Sequence, residues 1–521
     1  MNKSIRQSMA WLHSWTGLLL GWLLFVIFAL GSLSYYRHTI TTWMQPELQQ
    51  IQVKQEQALE SVFHYLSHEA PTAKGWYINL ASQEAPSTRV YWQTSDGNYV
   101  SKVLDPNSGQ DMQLSLTQGG DFFYNFHFQL FAIPITIGRL IVSFAACIML
   151  IALISGIITH KKIFAEFFTL RTFKSQRSWL DFHNMVSVIA LPFFLMIAFT
   201  GLAMFFYLYL PTSLQKLYPE NRFGFFDEIR TIQAQHVQNS EAKPSPMLDF
   251  TTIQQRIKTL WPTQPEIDSV QVLQPFTDQA KIVLRQKEDH SITLNAEQLT
   301  LSLVTGELLS DSRNQHPVAK LYGGIYGLHM APFATPLLKL AFFFSGILGC
   351  LMIASGLLLW SVKRHIQNKT ARFHFGHYIV DRCNVATFVG LPTAITGYLY
   401  TNRLYTLSHQ SAPNQEITVF FLTWLLMLCL ALVTPKQRLW SVQLIIFIVL
   451  AGLLPLISSY ILYQGHYIQK INDYSAYAAF DLFIWLFAGL GLFIWKNIHP
   501  IQAQVQKKMQ AKYHPKQGQS S

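Results

Sequence analysis

Charge is scarce in this chain. Asp, Glu, Lys and Arg make up 13% of its 521 residues, where soluble domains carry about 25%. That excludes an ordinary water-solvated globule. Cysteine is scarce too: Cys147, Cys350, Cys383 and Cys429 include no CxxC pair and no CxxCH. Covalent c-type haem attachment is thereby excluded, and no disulfide framework is indicated. A GxGxxG stretch is also missing, so the chain has no dinucleotide-binding fingerprint of its own.

What is abundant is apolar sequence, 50% of the residues. It is gathered in blocks long enough to cross a hydrocarbon core of about 30 Å. Backbone polar groups in lipid must be satisfied within the segment, so these blocks read as helices. Eight are predicted, at 15–36, 136–159, 185–210, 337–361, 379–400, 417–434, 440–463 and 478–496. The first is too long for a secretory signal and has no small-residue cleavage site, so it reads as a retained anchor. The net charge of +11 is not a nucleic-acid footprint. Lys3 and Arg6, Lys161 to Arg177, Lys363 to Arg372, Lys436 with Arg438, and Lys496 to Lys508 all fall on one face of the eight-helix arrangement. Such a bias marks the cytoplasmic side, with both termini there.

The expected fold class is a mainly α membrane protein with two α+β domains on the other side. The boundaries are 1–36 for the tail and first helix, 37–132 for the first soluble domain, 133–210 for helices 2 and 3, 211–333 for the second domain, 334–400 for helices 4 and 5, 401–498 for helices 6 to 8, and 499–521 for a basic tail. Alternating strands are predicted at WYINLAS, RVYWQT and YVSKVLD in the first domain, and at SVQVLQ, KIVLRQ, SITLNA and LSLVTG in the second. The helices QEQALESVFHYL and FTTIQQRIKTLW accompany them. A repeat of about 200 residues runs through the chain. Ser155-Gly156 recurs as Ser355-Gly356, LDFHNMVSVIALP as VDRCNVATFVGLP, and Phe126-His127 as Leu328-His329.

Of the 18 histidines, those in the soluble segments and the basic loops are ordinary positions for a polar residue. Four are different. His13 and His183 lie at the cytoplasmic ends of helices 1 and 3, and His127 and His329 precede helices 2 and 4 at the outer ends. Two pairs, one per leaflet, from different helices are what bis-imidazole ligation of membrane b-type haem requires. Thr16, Gly17, Gly21 and Thr200-Gly201 supply the small residues that a macrocycle between helices needs. The repeat puts Cys383 at the position of His183, so two haems are the most the sequence supports.

The opening WLHSWTGLLLGWLLFVIFALGSL, the units FHFQLF…SGIITHKK and LHMAPF…SGLLLWSVKR, and DFHNMVSVIALPFFLMIAFTG resemble the PepSY-associated transmembrane family of iron-regulated proteins, which includes ferric-siderophore reductases. VLDPNSGQ and LVTGELL are similar to closing hairpins of PepSY domains. The resemblance implies periplasmic PepSY-like domains, a bacterial inner-membrane location, and two b-type haems, with His13 and His183 on the inner one and His127 and His329 on the outer. It also implies a ferric siderophore as substrate and quinol or a separate reductase as electron donor. Phe122, Phe123, Tyr124, Tyr322 and Tyr326, with Arg139 and Lys339, are the expected docking surface for the acceptor. Two other readings are a PepSY-domain protein that regulates a periplasmic peptidase or senses a ligand, and an iron or siderophore transporter component. The transporter reading lacks buried acids; Asp481 is the main candidate.

Overall fold

The computed structural model describes the chain except for residues 1–3, 49–50, 95, 113, 115, 161–170, 172–175, 222–223, 230–241, 289–290, 294–296, 312–316, 368–372, 407–412, 469–474 and 514–521. The expected strand SITLNA and His236, His290 and His316 lie wholly or partly outside the described residues.

In chain order the elements begin with α1 (Ile5–Ser34), α2 (Arg37–Met44), α3 (Gln55–Glu69), β1 (Gly75–Asn79), β2 (Thr88–Gln93), β3 (Tyr99–Leu104), α4 (Asp121–Gln129) and α5 (Ile135–Thr159). Next come α6 (Gln176–Ile189), α7 (Leu191–Met204), α8 (Phe206–Tyr209), α9 (Pro211–Leu217), α10 (Gly224–Ile229) and α11 (Phe250–Leu260). Strands β4 (Ile267–Leu273), β5 (Lys281–Gln286), β6 (Gln298–Ser302) and β7 (Leu308–Asp311) lead to α12 (Pro317–Met330) and α13 (Pro336–Gln367). The chain ends with α14 (Phe375–Phe388), α15 (Gly390–Thr406), α16 (Pro413–Val433), α17 (Leu439–Gln464) and α18 (Ser475–Tyr513). They divide into two compact units.

The first unit holds residues 1–46, 115–202 and 337–521. Among the described residues, six of its helices are long and apolar enough to cross a membrane: α1, α5, α13, α16, α17 and α18. A seventh span is possible if α6 and α7, which bend by 67° at their junction, count as one. The sequence pattern predicts eight. The missing one, at 379–400, corresponds to α14 and α15, which are separated at Val389. Both breaks have the same cause. Pro192 and Pro392, two residues of the repeat, stand at the start of α7 and α15, where a residue with no N–H is tolerated but cannot continue a preceding helix.

The second unit holds residues 47–114 and 203–336. Two separate α+β domains are expected from the sequence; instead, the strands form one seven-stranded antiparallel sheet in the order β3-β2-β1-β4-β5-β6-β7. The join is the β1–β4 ladder, with Trp76 opposite Val272 and Ile78 opposite Val270. Period-two alternation puts Trp76, Ile78, Val90, Val270, Val272, Ile282 and Leu284 on one buried face. Val62, Phe63 and Leu66 of α3 and Ile253 and Ile257 of α11 share one core with them. Each half-sheet alone would leave an edge at β1 or β4, and pairing them removes both.

Candidate functional site

Three of the four candidate histidines share one local construction. His13 lies in α1, where its Nδ1 is 2.8 Å from the carbonyl of Ala152 on α5. His183 lies in α6, with Nδ1 2.9 Å from the carbonyl of Met352 on α13. His127 is in the last turn of α4, with Nδ1 2.7 Å from the carbonyl of Ile27 on α1. Four residues beyond each carbonyl comes a glycine: Gly156, Gly356 and Gly31. A Cβ there would stand 3.2 Å from Cε1 of His13, 3.1 Å from Cε1 of His183 and 2.6 Å from Cε1 of His127. The helix donor to each carbonyl is the N–H of that same glycine. The imidazole therefore shares an acceptor with the glycine N–H, and only a residue without a side chain lets the ring come so close. An Nδ1–H donated to a carbonyl fixes the tautomer that puts the lone pair on Nε2, the arrangement that orients a ligating histidine.

The rings of His13 and His183 approach edge to face, with centroids 6.1 Å apart and planes at 61°. One turn from His13, a Cβ on Gly17 would meet nothing within 4 Å, whereas Gly21 packs on Leu357. No group of three or more His, Cys, Asp or Glu that could hold a metal occurs among the described residues. Paired imidazoles seated on glycines between helices could hold a haem iron and are too few for a closed four-ligand centre.

The helix carrying His183 is held at its start. Asp181, 4% exposed at its side chain, accepts from the backbone N–H of Arg171 at 3.1 Å and from Nε and Nη2 of Arg171, both at 2.8 Å. Its repeat counterpart Asp381 accepts from Ser361, from His365 Nε2 at 2.9 Å and from Lys436 Nζ at 3.0 Å. The repeat thus conserves an anchored aspartate while the anchor changes. Asn184 approaches His160 Nε2 at 2.9 Å, and its counterpart Asn384 accepts from the Trp22 indole at 2.9 Å.

The segment leading into α4 is held from the C-terminal helices. Thr117 donates to Glu416 at 2.6 Å, Asn402 donates to the other oxygen of Glu416 at 2.9 Å, and the Tyr398 hydroxyl donates to the Gly119 carbonyl at 2.9 Å. Phe122 stacks on Tyr398 with ring centroids 5.1 Å apart. This corrects two expectations. Phe122 and Phe123 are buried and pack α4 rather than offering flat contact to an acceptor. Likewise Arg139 reaches Gln129 at 3.1 Å and sits over the Phe128 ring. α15 and α16, the second of them uninterpreted in the sequence, support the His127 segment. Their buried Arg403 and Glu416 were not foreseen, although an ionisable residue at the edge of an apolar run was the signal available. Asp481 is buried as well and accepts from the Trp43 indole at 3.0 Å.

His329 ends α12 in the second unit, in the last turn, as His127 ends α4 in the first.

A profile of the family described as PepSY-associated TM region matches residues 10–363, more than half of the chain. The chain belongs to the PepSY-associated transmembrane family. It is accordingly a multi-pass membrane protein in contact with the lipid bilayer, as its apolar helices require. The family region contains all four candidate histidines and stops inside α13, so α14 to α18 lie beyond it. No curated protein matches the chain.

Proposed function

We propose that this family member is an electron-transfer protein of the bacterial inner membrane that holds two b-type haems and reduces ferric siderophore iron on the periplasmic side. His13 and His183 would hold the inner haem; His127 and its repeat counterpart His329 would hold the outer one. The observation that carries the reading is the shared construction at His13, His183 and His127, with the first two rings edge to face at a centroid distance of 6.1 Å. Held by these imidazoles, a haem would supply reversible one-electron chemistry. The protein's own part is to fix the tautomers through the Ala152, Met352 and Ile27 carbonyls and to keep water from the helix interior.

The basic loops support cytoplasmic termini, which leaves the sheet unit outside. Quinol or a separate reductase would supply the electrons, since the sequence has no dinucleotide fingerprint. One electron converts one Fe(III) to Fe(II), a weaker partner for hard oxygen donors, so the metal can leave an intact chelator.

An absorption spectrum of purified protein tests this. Dithionite should bring up sharp α and β bands of a six-coordinate low-spin haem. His13→Ala or His183→Ala should remove one haem, and His127→Ala or His329→Ala the other. Reduced protein should be reoxidised by a ferric siderophore, with a ferrous chelator trapping the product. Full haem content in all four variants would overturn the ligand assignment. Protein that stays reduced for hours with a panel of ferric siderophores would overturn the reductase.

A further inference from the structure

One face of the seven-stranded sheet packs against α3 and α11. Side chains alternate between faces along each strand, so the other face takes the remaining positions. The registers of β1 to β6 line these up in rows that cross the sheet. One row runs through Arg89, Asn79, Ser269 and Arg285. The next runs through Tyr91, Tyr77 and Gln271, and a third through Gly75, Leu273 and Lys281. No position paired within these rows holds Asp or Glu, whereas Arg89, Arg285 and Lys281 bring three cations. Two acids stand at the margin, Asp268 in the bulge of β4 and Glu288 past the end of β5. Glu288 is the one that Arg285 acts on, and burial inclines it to its neutral form.

The tyrosines form a platform between the cations. Tyr77 and Tyr91 stand directly opposite each other, which puts their Cβ atoms about 5 Å apart. Gly75 lies two residues before Tyr77 on the same face and raises no wall beside it. A Cβ on Gly75 would stand 3.8 Å from Cε2 of Tyr77. The ring therefore leans along the strand over the glycine, and the residue is 39% exposed. Tyr99 of the edge strand β3, opposite Gln93, is 70% exposed. Arg89 and Arg285 lie in the row on one side of the tyrosines, three strand spacings or roughly 14 Å apart. Lys281 lies in the row on the other side.

Aromatic rings set between cations, with no acid among them, select an occupant that is both flat and anionic. Hydroxamate chelators have aliphatic arms, and their ferric tris-chelate is neutral. Catecholate arms are aromatic rings, and three catecholate dianions on Fe(III) leave a triply negative complex. We propose that this sheet face binds a ferric tris-catecholate, with its rings against Tyr77 and Tyr91 and its oxygens toward Arg89, Arg285 and Lys281. Guanidinium donates well to anionic oxygens. The choice of a ferric chelate rests on the reductase reading above; the pattern of rings and charge does not.

Gallium(III) replaces Fe(III) in such chelates at the same charge and is not reduced, so binding can be measured apart from electron transfer. The full chain in detergent is brought to dialysis equilibrium with the gallium complex of a linear tris-catecholate or of a linear tris-hydroxamate. The tris-catecholate should bind about tenfold more tightly, one decade in affinity, and added salt should narrow the gap. Arg89→Gln and Tyr77→Ala should each weaken its binding about tenfold. Lys258→Gln, on α11 against the opposite face, should leave it unchanged. Should Tyr77→Ala unfold the sheet, Arg285→Gln carries the expectation at about a threefold loss, roughly half a decade. Equal affinity for the two chelates, or wild-type affinity in Arg89→Gln and its companion variant, would overturn the site. So would a dimer that Arg89→Gln dissolves while wild type binds no gallium, since the face would then belong to a second copy. Haem-free protein that keeps the gallium preference would retain the site and remove the reductase reading. A haem protein without that preference would do the reverse.

Discussion

A Cβ placed on Gly31 would stand 2.6 Å from Cε1 of His127 and 2.7 Å from its Nδ1. No real side chain fits at that distance, so Gly31→Ala must push the imidazole off the Ile27 carbonyl. Changes that disturb the orientation of a metal-ligating histidine cost about 10–100-fold in affinity. Gly31→Ala is therefore expected to empty the haem site of His127 while that of His13 and His183 stays filled. Gly156→Ala and Gly356→Ala place the new atom at 3.2 and 3.1 Å, where the ring need give only a few tenths of an ångström. They should lower haem content less than Gly31→Ala. The haem-to-protein ratio of the three purified variants checks the order, and equal losses would contradict it.

A second spacing, separate from the repeat of about 200 residues, carries this further. His13 and Gly31 are 18 residues apart along α1, and His183 and Gly201 are 18 residues apart across α6 and α7. Ile27 and Ile197 each stand four residues before the glycine. Gly201→Val should accordingly cost one haem, as Gly31→Val does. Gly452→Val is the control, because a Cβ on Gly452 meets nothing within 4 Å. A full haem complement in Gly201→Val would show that the spacing is not functional.

Much of this was legible in the sequence, and the exceptions have physical causes. The strand KIVLRQ predicts β5 residue for residue because period-two alternation is a local signal. That β1 would pair with β4 was not legible. Trp76 and Val272 are far apart in the chain, and nothing in either strand names its partner. The Ser-Gly repeat was visible, but not its purpose, because Gly156 and Gly356 serve histidines on other helices. The span at 379–400 divides into α14 and α15, a break that average hydropathy conceals, although Leu391-Pro392 repeats the Leu191-Pro192 that breaks α6 from α7. Glu416 fell just outside its predicted apolar block at 417–434, so burial of that carboxylate could be recognised only once Thr117 and Asn402 were seen to reach it.

That carboxylate gives the third prediction. Glu416 is 1% exposed and is the common acceptor for Thr117 and Asn402. Removing an acceptor from a buried donor costs about 1–3 kcal/mol per group. Glu416→Ala should thus destabilise the first unit by about 2–4 kcal/mol, whereas Glu416→Gln, which keeps an accepting oxygen, should cost about 1 kcal/mol. Thr117 leads into the helix of His127, so Glu416→Ala should also lower haem content more than Glu416→Gln. Thermal unfolding in detergent, followed alongside haem absorbance, separates the two variants. Equal effects would mean that the network does not support α4.

The last prediction concerns the second unit and pH. Neither carboxyl oxygen of Glu288, just after β5, has a hydrogen-bond partner among the described residues. Burial pushes its pKa up to about 7; Arg285 opposes the rise and Asp268 adds to it. An unfolded glutamate titrates near about 4.3, so between that value and 7 the folded unit holds a proton that the unfolded chain has released. Stability falls with rising pH wherever the folded state binds more protons. The stabilisation from protonated Glu288 is therefore fully present below about pH 4, is lost as pH rises through 7, and is gone above it. Glu288→Gln keeps the neutral form at every pH. The variant should match wild type at pH 4 and resist limited proteolysis of the sheet unit longer than wild type at pH 8. The two curves should separate between those values. If wild type and Glu288→Gln are cleaved at the same rate at pH 8, Glu288 is ionised in the folded protein at no cost, and its burial is relieved by water.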